Sequence, residues 1–205
     1  MSKNPRIYLA APFFTPEQLS FVTDIEKLII DAGYDLFSPR LGGNALEMNE
    51  QIAAQKKWDN DKRLRRTSPK TTGEPRPPKP SPPSQELRRA VFNDNWMNID
   101  DADLVVAVID DRDVGTVWEM GYAFAKHVPI ITTTRADYGM NLMLAECIIG
   151  HTKTLEELSA ALSLGYPNIG FDTQTEDWGG TIALIQTRFK TELALKEGPN
   201  ERQRD

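Results

Sequence analysis

The run Leu104-Val-Val-Ala-Val-Ile109 constrains this chain most, because it is a short apolar stretch followed at once by an acidic, glycine-containing turn and an amphipathic helix. A β-branched run of that length reads as a strand, and the segment Thr116 to Lys126 reads as the helix that follows it. Glu119 then sits in the first turns of that helix, at the carboxyl end of the strand. Open α/β sheets bind ligands in that position.

The same alternation runs through the chain. Ile7 to Ala11 reads as a first strand, and Pro16 to Ala32 as a helix with Leu19, Val22, Ile25, Leu28 and Ile29 on one face and Gly33 as its stop. Tyr34 to Phe37 reads as a second strand. Ser84 can cap a helix running toward Ile99, ahead of the strand Leu104 to Ile109. Pro129 to Thr132 reads as a fourth strand, and Asn141 to Ile149 as a helix or a helix-to-strand passage. Thr154 to Leu164 reads as a helix opened by Thr-x-x-Glu, and Thr181 to Leu195 as a terminal helix before a polar end. Strands alternating with helices imply a parallel sheet covered on both faces. No internal repeat is visible.

One stretch departs from this pattern. Lys56 to Arg89 opens with a basic cluster at Lys62 to Arg66 and continues through prolines at 69, 75, 77, 78, 80, 82 and 83. Those prolines exclude helix and sheet ladders between Thr67 and Ser84, and the few apolar residues there cannot offset the entropy of ordering. A mobile, partly polyproline II spacer is expected. The spacings Pro75-Arg-Pro-Pro78 and Pro77-Pro-Lys-Pro80 also fit a lid or a partner-docking segment. The basic cluster reads as a solvated helix face, with attraction of a nucleotide phosphate as the other reading.

Composition narrows the function classes. A chain of 205 residues suffices for one domain plus additions. The single Cys147 excludes an internal disulfide, and with only His127 and His151 the soft ligands are too few for a structural zinc site, so neither a metal nor a cofactor is expected. The N-terminus passes from Met-Ser-Lys-Asn-Pro straight into a short strand, and no long apolar run follows. The expectation is a cytoplasmic protein without membrane association. A net charge of −6 argues against nucleic-acid backbone binding as the main task.

Four pieces in register carry a resemblance: Ile7-Tyr-Leu-Ala-Ala-Pro-Phe-Phe14, Phe37-Ser-Pro-Arg40, Ile99-Asp-Asp-Ala-Asp-Leu-Val-Val106, and Asp113-Val-Gly-Thr-Val-Trp-Glu-Met-Gly-Tyr-Ala123, with Asn141-Leu-Met143 beyond them. In order and spacing, residues 6 to about 150 resemble the nucleoside 2-deoxyribosyltransferase family. The resemblance implies a single flavodoxin-like, Rossmann-like α/β domain over 1–165, with about five parallel strands, the 56–89 insertion, and a C-terminal extension over 166–205. It makes Glu119 the nucleophile and Tyr8 the residue that orients it. Phe13 and Phe14 become the aromatic lining of the base pocket, with Asp113 and Gly115 at the substrate. Asn141 is matched to an asparagine lent to the sugar of the neighbouring subunit, followed by Met143. Composite sites of that kind imply a homo-oligomer, a dimer or a trimer of dimers.

One position departs from the family pattern. Eight residues before Asp103 the family carries an aspartate credited with protonating the base, whereas this chain has Asn95, with Asp94 one position earlier. An amide can hydrogen-bond a ring nitrogen but cannot act as an acid. Asp94 through a local register shift, Asp113, or water then supplies the proton. The implied activity is exchange of 2-deoxyribose between nucleobases, taking deoxynucleosides and free bases through a covalent deoxyribosyl-glutamate, with hydrolysis as a side reaction. A 2'-deoxynucleoside 5'-monophosphate N-glycosidase and a non-catalytic nucleotide-binding module are the other readings. The aromatics Phe13, Phe14 and Trp118 either wall the pocket or pack in the core, and core packing is the expectation for Trp118.

Overall fold

The computed structural model of the chain describes residues 4–67, 78–110, 113–135 and 140–164, with backbone alone over 61–67. The expected proline-rich spacer falls largely, and the expected terminal helix Thr181 to Leu195 wholly, outside those residues. The chain divides into two compact units, Met1–Ser38 with Trp96–Asp205, and Pro39–Asn95.

The first unit is built on a five-stranded, wholly parallel sheet in the order β2-β1-β3-β4-β5. Its strands are β1 (Arg6–Ala10), β2 (Asp35–Phe37), β3 (Leu104–Val108), β4 (Ile130–Thr133) and β5 (Gly150–Thr152). This is the flavodoxin-like order, in which the connections from β1 and β3 leave toward opposite edges and open a crevice at their carboxyl ends. Every residue of β3 is buried, as a central strand covered on both faces requires. On one face, Ile7, Leu9, Val106, Val108 and Ile131 pack against Val22, Ile25 and Ile29 of α1 (Pro16–Asp31) and against Leu158 and Leu162 of α6 (Leu155–Ser163). On the other, Tyr8, Ala10, Val105, Ala107 and Ile130 pack against Met120 and Ala123 of α4 (Val114–Ala125) and against Ile99.

Local chemistry sets the ends of these elements. Thr15 caps α1 by accepting the Gln18 amide, and Gln18 Oε1 accepts in return from the backbone amides of Phe14 and Thr15, at 2.7 and 3.1 Å. Gly33 stops the helix at φ 86°, a left-handed value that a residue with a Cβ adopts only with strain. The expected apolar face of α1 differs at one point. Leu19 is exposed, while Gln18 and Glu26 are buried, because Gln18 closes the capping box and Glu26 accepts the Ser38 hydroxyl at 2.6 Å. Beyond β4 the expected helical stretch shrinks to α5 (Leu142–Ala145), four residues long, before the chain enters β5. Thr154 caps α6 as its Thr-x-x-Glu pattern predicts.

The second unit holds a short 3-10 turn at Pro39–Leu41, the 25-residue α2 (Gly43–Thr67), and all but the end of α3 (Gln85–Asp100). α2 starts well ahead of the helix face expected at Lys62–Arg66, and no proline stands between Pro39 and Pro69 to interrupt it. Asn44 donates to Asp94 at 2.8 Å, and the Lys79 ammonium lies 5.9 Å from the Trp58 ring centroid, so the chain returns alongside α2. Ser84 caps α3 through the Leu87 amide at 3.1 Å, as the sequence predicts.

Candidate active site

Tyr8 is the third residue of β1, flanked in the sheet by Phe37 and Val105, and its ring is fully buried. Phe37 stacks on it at 5.5 Å. One step toward the carboxyl ends on the same face stand Ala10 and Ala107, paired across β1 and β3. Two methyl groups there leave room between the sheet and α4. Glu119 lies in the second turn of α4: only 9% of it is exposed, and its Oε1 accepts the Tyr8 hydroxyl at 2.6 Å. Hydrogen bonds to a carboxylate are short and contribute about 1.5–3 kcal/mol, so this contact stabilises the ionised glutamate. The Tyr8 hydroxyl is pushed far above the ordinary tyrosine range, first by burial and then by the charge of Glu119 and the hydrogen bond to it. Tyr8 therefore remains a proton-bearing donor throughout neutral pH.

The turn before α4 is held by Asp113. Its Oδ2 accepts from the Thr116 amide at 2.8 Å and from the Thr116 hydroxyl at 3.0 Å, which makes it the N-cap of the helix that carries Glu119. Gly115 belongs to the same arrangement, because a Cβ at that position would stand 3.0 Å from Asp113 Oδ2. After β1, the rings of Phe13 and Phe14 are tilted against each other at 5.3 Å, Phe13 half-buried and Phe14 exposed. Tyr8, Glu119, Asp113 and the two phenylalanines thus share the carboxyl ends of β1 and β3.

Asn141 is the N-cap of α5, its Oδ1 accepting the Met143 amide at 2.9 Å, and both Leu142 and Met143 are about 70% exposed. Trp118 corrects the expectation of core packing. It is 45% exposed and lies flat on Tyr122 at 5.5 Å, because α4 turns Met120 and Ala123 to the sheet and leaves this side chain on its outer surface. Asp94 and Asn95, both half-buried, lie on α3 in the second unit. As neighbours on a helix they point about 100° apart, so a ligand on one side meets one of them and not both.

Two features of this region escape the sequence reading. Gln18 holds the Phe14 backbone from the first turn of α1, and Asp110, completely buried at the end of β3, binds the residues that follow β4. A glutamine three residues after a threonine is a readable capping signal. An aspartate beside Asp111 and Asp113 is not distinguishable from them by sequence. Among the described residues no cluster of metal-ligating side chains occurs, and no helix is long and apolar enough to cross a membrane.

The profile of the nucleoside 2-deoxyribosyltransferase family matches residues 7–178. Among solved structures, a 2-deoxyribosyltransferase from the psychrotolerant bacterium Bacillus psychrosaccharolyticus is 25% identical, with a TM-score of 0.53 over 77% of this chain and 95% of that one. A conserved protein from Enterococcus faecalis V583 is 17% identical, with a TM-score of 0.50 over 78% of this chain and 97% of that one, and shares the fold. No curated protein sequence matches the chain. The chain belongs to the nucleoside 2-deoxyribosyltransferase family, enzymes that act on the N-glycosidic bonds of nucleosides.

Two predictions follow from the geometry alone. Gly115→Ala should lose the Asp113 cap, so its effect on urea unfolding should depend on Asp113: in an Asp113→Ala background it should be more favourable by about 0.5 kcal/mol or more than in wild type. Additive effects of the two substitutions would dissociate the glycine from the cap. Tyr8 keeps its proton in the folded state where an unfolded tyrosine, ordinarily near pH 10, loses it. The stability it confers is complete below that pH and falls above it by about 1.4 kcal/mol per pH unit. Tyr8→Phe should therefore be less stable than wild type at pH 7 but show a shallower alkaline decline, and parallel curves above pH 10 would contradict the buried donor.

Proposed function

We propose that this chain transfers 2-deoxyribose from one nucleobase to another through an ester on Glu119. The observation that carries the reading is the buried Glu119 carboxylate, bonded to Tyr8 at 2.6 Å where β1 and β3 end. In the first step the carboxylate attacks the anomeric carbon, the C–N bond breaks, and the base departs with the bonding electrons and takes up a proton. Positive charge at the sugar carbon meets the glutamate, and negative charge on the base meets hydrogen-bond donors. In the second step a ring nitrogen of another base attacks the anomeric carbon and loses its proton, the bond from that carbon to the Glu119 oxygen breaks, and Glu119 leaves as a carboxylate. Tyr8, donating to that carboxylate, stabilises it as a leaving group. Two inversions give net retention and ping-pong kinetics, and water in place of the second base gives hydrolysis.

Family likeness supplies the remaining roles. Phe13 and Phe14 hold the base between them and the pocket wall, and Asp113 meets its edge. Asn141 serves the sugar of a neighbouring subunit. Leu142, Met143, Val114 and Trp118 expose apolar side chains. A second copy of the chain covers them in this reading.

Incubation with deoxyinosine and a different free base, followed by chromatography, tests the reading. Wild type should yield the exchanged nucleoside, and Glu119→Ala should lose transfer and hydrolysis together by about 10³-fold or more while remaining folded. Exchange retained within about tenfold would remove Glu119 from the chemistry. The shared site has its own test. Glu119→Ala and Asn141→Ala, each nearly inactive, should recover toward about a quarter of wild-type activity when their subunits are exchanged. A protein that elutes only as monomer would overturn the composite site.

A further inference from the structure

Asp110, two residues beyond β3, has no solvent exposure, and the side-chain bonds it accepts come from the two residues that follow β4. Thr134 Oγ1 donates to its Oδ1 at 2.6 Å, the Arg135 amide to Oδ1 at 3.0 Å and to Oδ2 at 3.3 Å, and Arg135 Nε to Oδ2 at 2.6 Å. Three donor groups converging on one buried point require an acceptor with two oxygens and no protons, which a carboxylate is and an amide is not. The Arg135 guanidinium then lies 6.0 Å from the Phe21 ring on α1.

The sheet does not require this contact. Backbone pairing of β3 with β4 runs from Val105↔Ile130 to Val108↔Thr133, and the Ile109 amide still bonds to Thr133. Asp110 ties the strands together one step further, where their chains part toward the two turns that matter for the site. Three residues on from Asp110 is Asp113, the cap of the Glu119 helix, and Thr134 and Arg135 open the connection to Asn141.

We propose that Asp110 is a positioning residue whose clamp on Thr134 and Arg135 sets where the Asp113 turn stands, and thereby how well an acceptor base competes with water for the ester. The second half rests on the transfer reading above; the first does not. A clamp of this kind acts as outer support, holding groups that touch the ligand without touching it.

Arg135→Met and Thr134→Val test it at positions where the backbone amide bond to Asp110 survives and the fold is retained. Amide hydrogen exchange at Thr116, bonded to Asp113, should quicken by about tenfold in both variants, while amides of β1 and β3 exchange as in wild type. At a fixed concentration of acceptor base, the ratio of exchanged nucleoside to free deoxyribose should fall by about fivefold or more. That ratio is independent of how much enzyme is folded and of how fast the ester forms, so a merely structural role leaves it unchanged. Thr116 exchange within about twofold of wild type in both variants overturns the clamp, whatever the activity. Faster exchange at Thr116 with an unchanged ratio overturns its effect on the acceptor. A wild-type protein that neither transfers nor hydrolyses refutes the functional reading instead and leaves the Thr116 result to judge the clamp.

Discussion

A carboxylate that is nine-tenths buried is tolerable only beside a donor, and the hydroxyl of Tyr8 is one donor this fold supplies. Removing an ionised group from water without compensation costs several kcal/mol. The requirement reaches outward. The tyrosine has to sit on a strand adjacent to the one whose helix carries the glutamate, which the β1-β3 pairing achieves. The helix has to begin at a fixed point, which Asp113 and Gly115 determine.

Much of that was legible in the chain, for identifiable reasons. β3 is an unbroken apolar run, α1 has a clear 3.6 period and a glycine stop, and Ser84 and Thr154 are capping residues in the expected places, so their elements appear within a residue or two. What was not legible depends on tertiary partners. Leu19 follows the apolar period of α1 yet stays outside, because a capping glutamine and a hydroxyl-bonded glutamate take the buried positions. Trp118 has core chemistry and lies on the surface because α4 has already turned Met120 and Ala123 inward. α2 lacks a strong apolar face, so nothing in its periodicity announces it.

Legibility at the site divides the same way. Glu119 could be singled out from its place after β3, whereas its pairing with Tyr8 spans 111 positions of sequence and entered only through family likeness. Asp113 was expected at the ligand and is found first as a helix cap, a role that spacing alone allows but does not choose. Asp110 carries no signal in the sequence, because its three donors come from a strand end 24 or more residues away.

The register of the sheet also separates what is rigid in this molecule from what is adaptable. Tyr8 and Glu119 are secured by the most deeply packed strands and by the inner face of α4, the parts of a fold that open least often. Phe14, Val114, Leu142 and Met143 stand on turns and outer surfaces, where side chains change at small cost to stability. Sequence drift in the second group leaves the Tyr8–Glu119 pair in place. The fold in this sense keeps a fixed buried pair and a replaceable surface in separate places, and the surface can change without rebuilding the sheet.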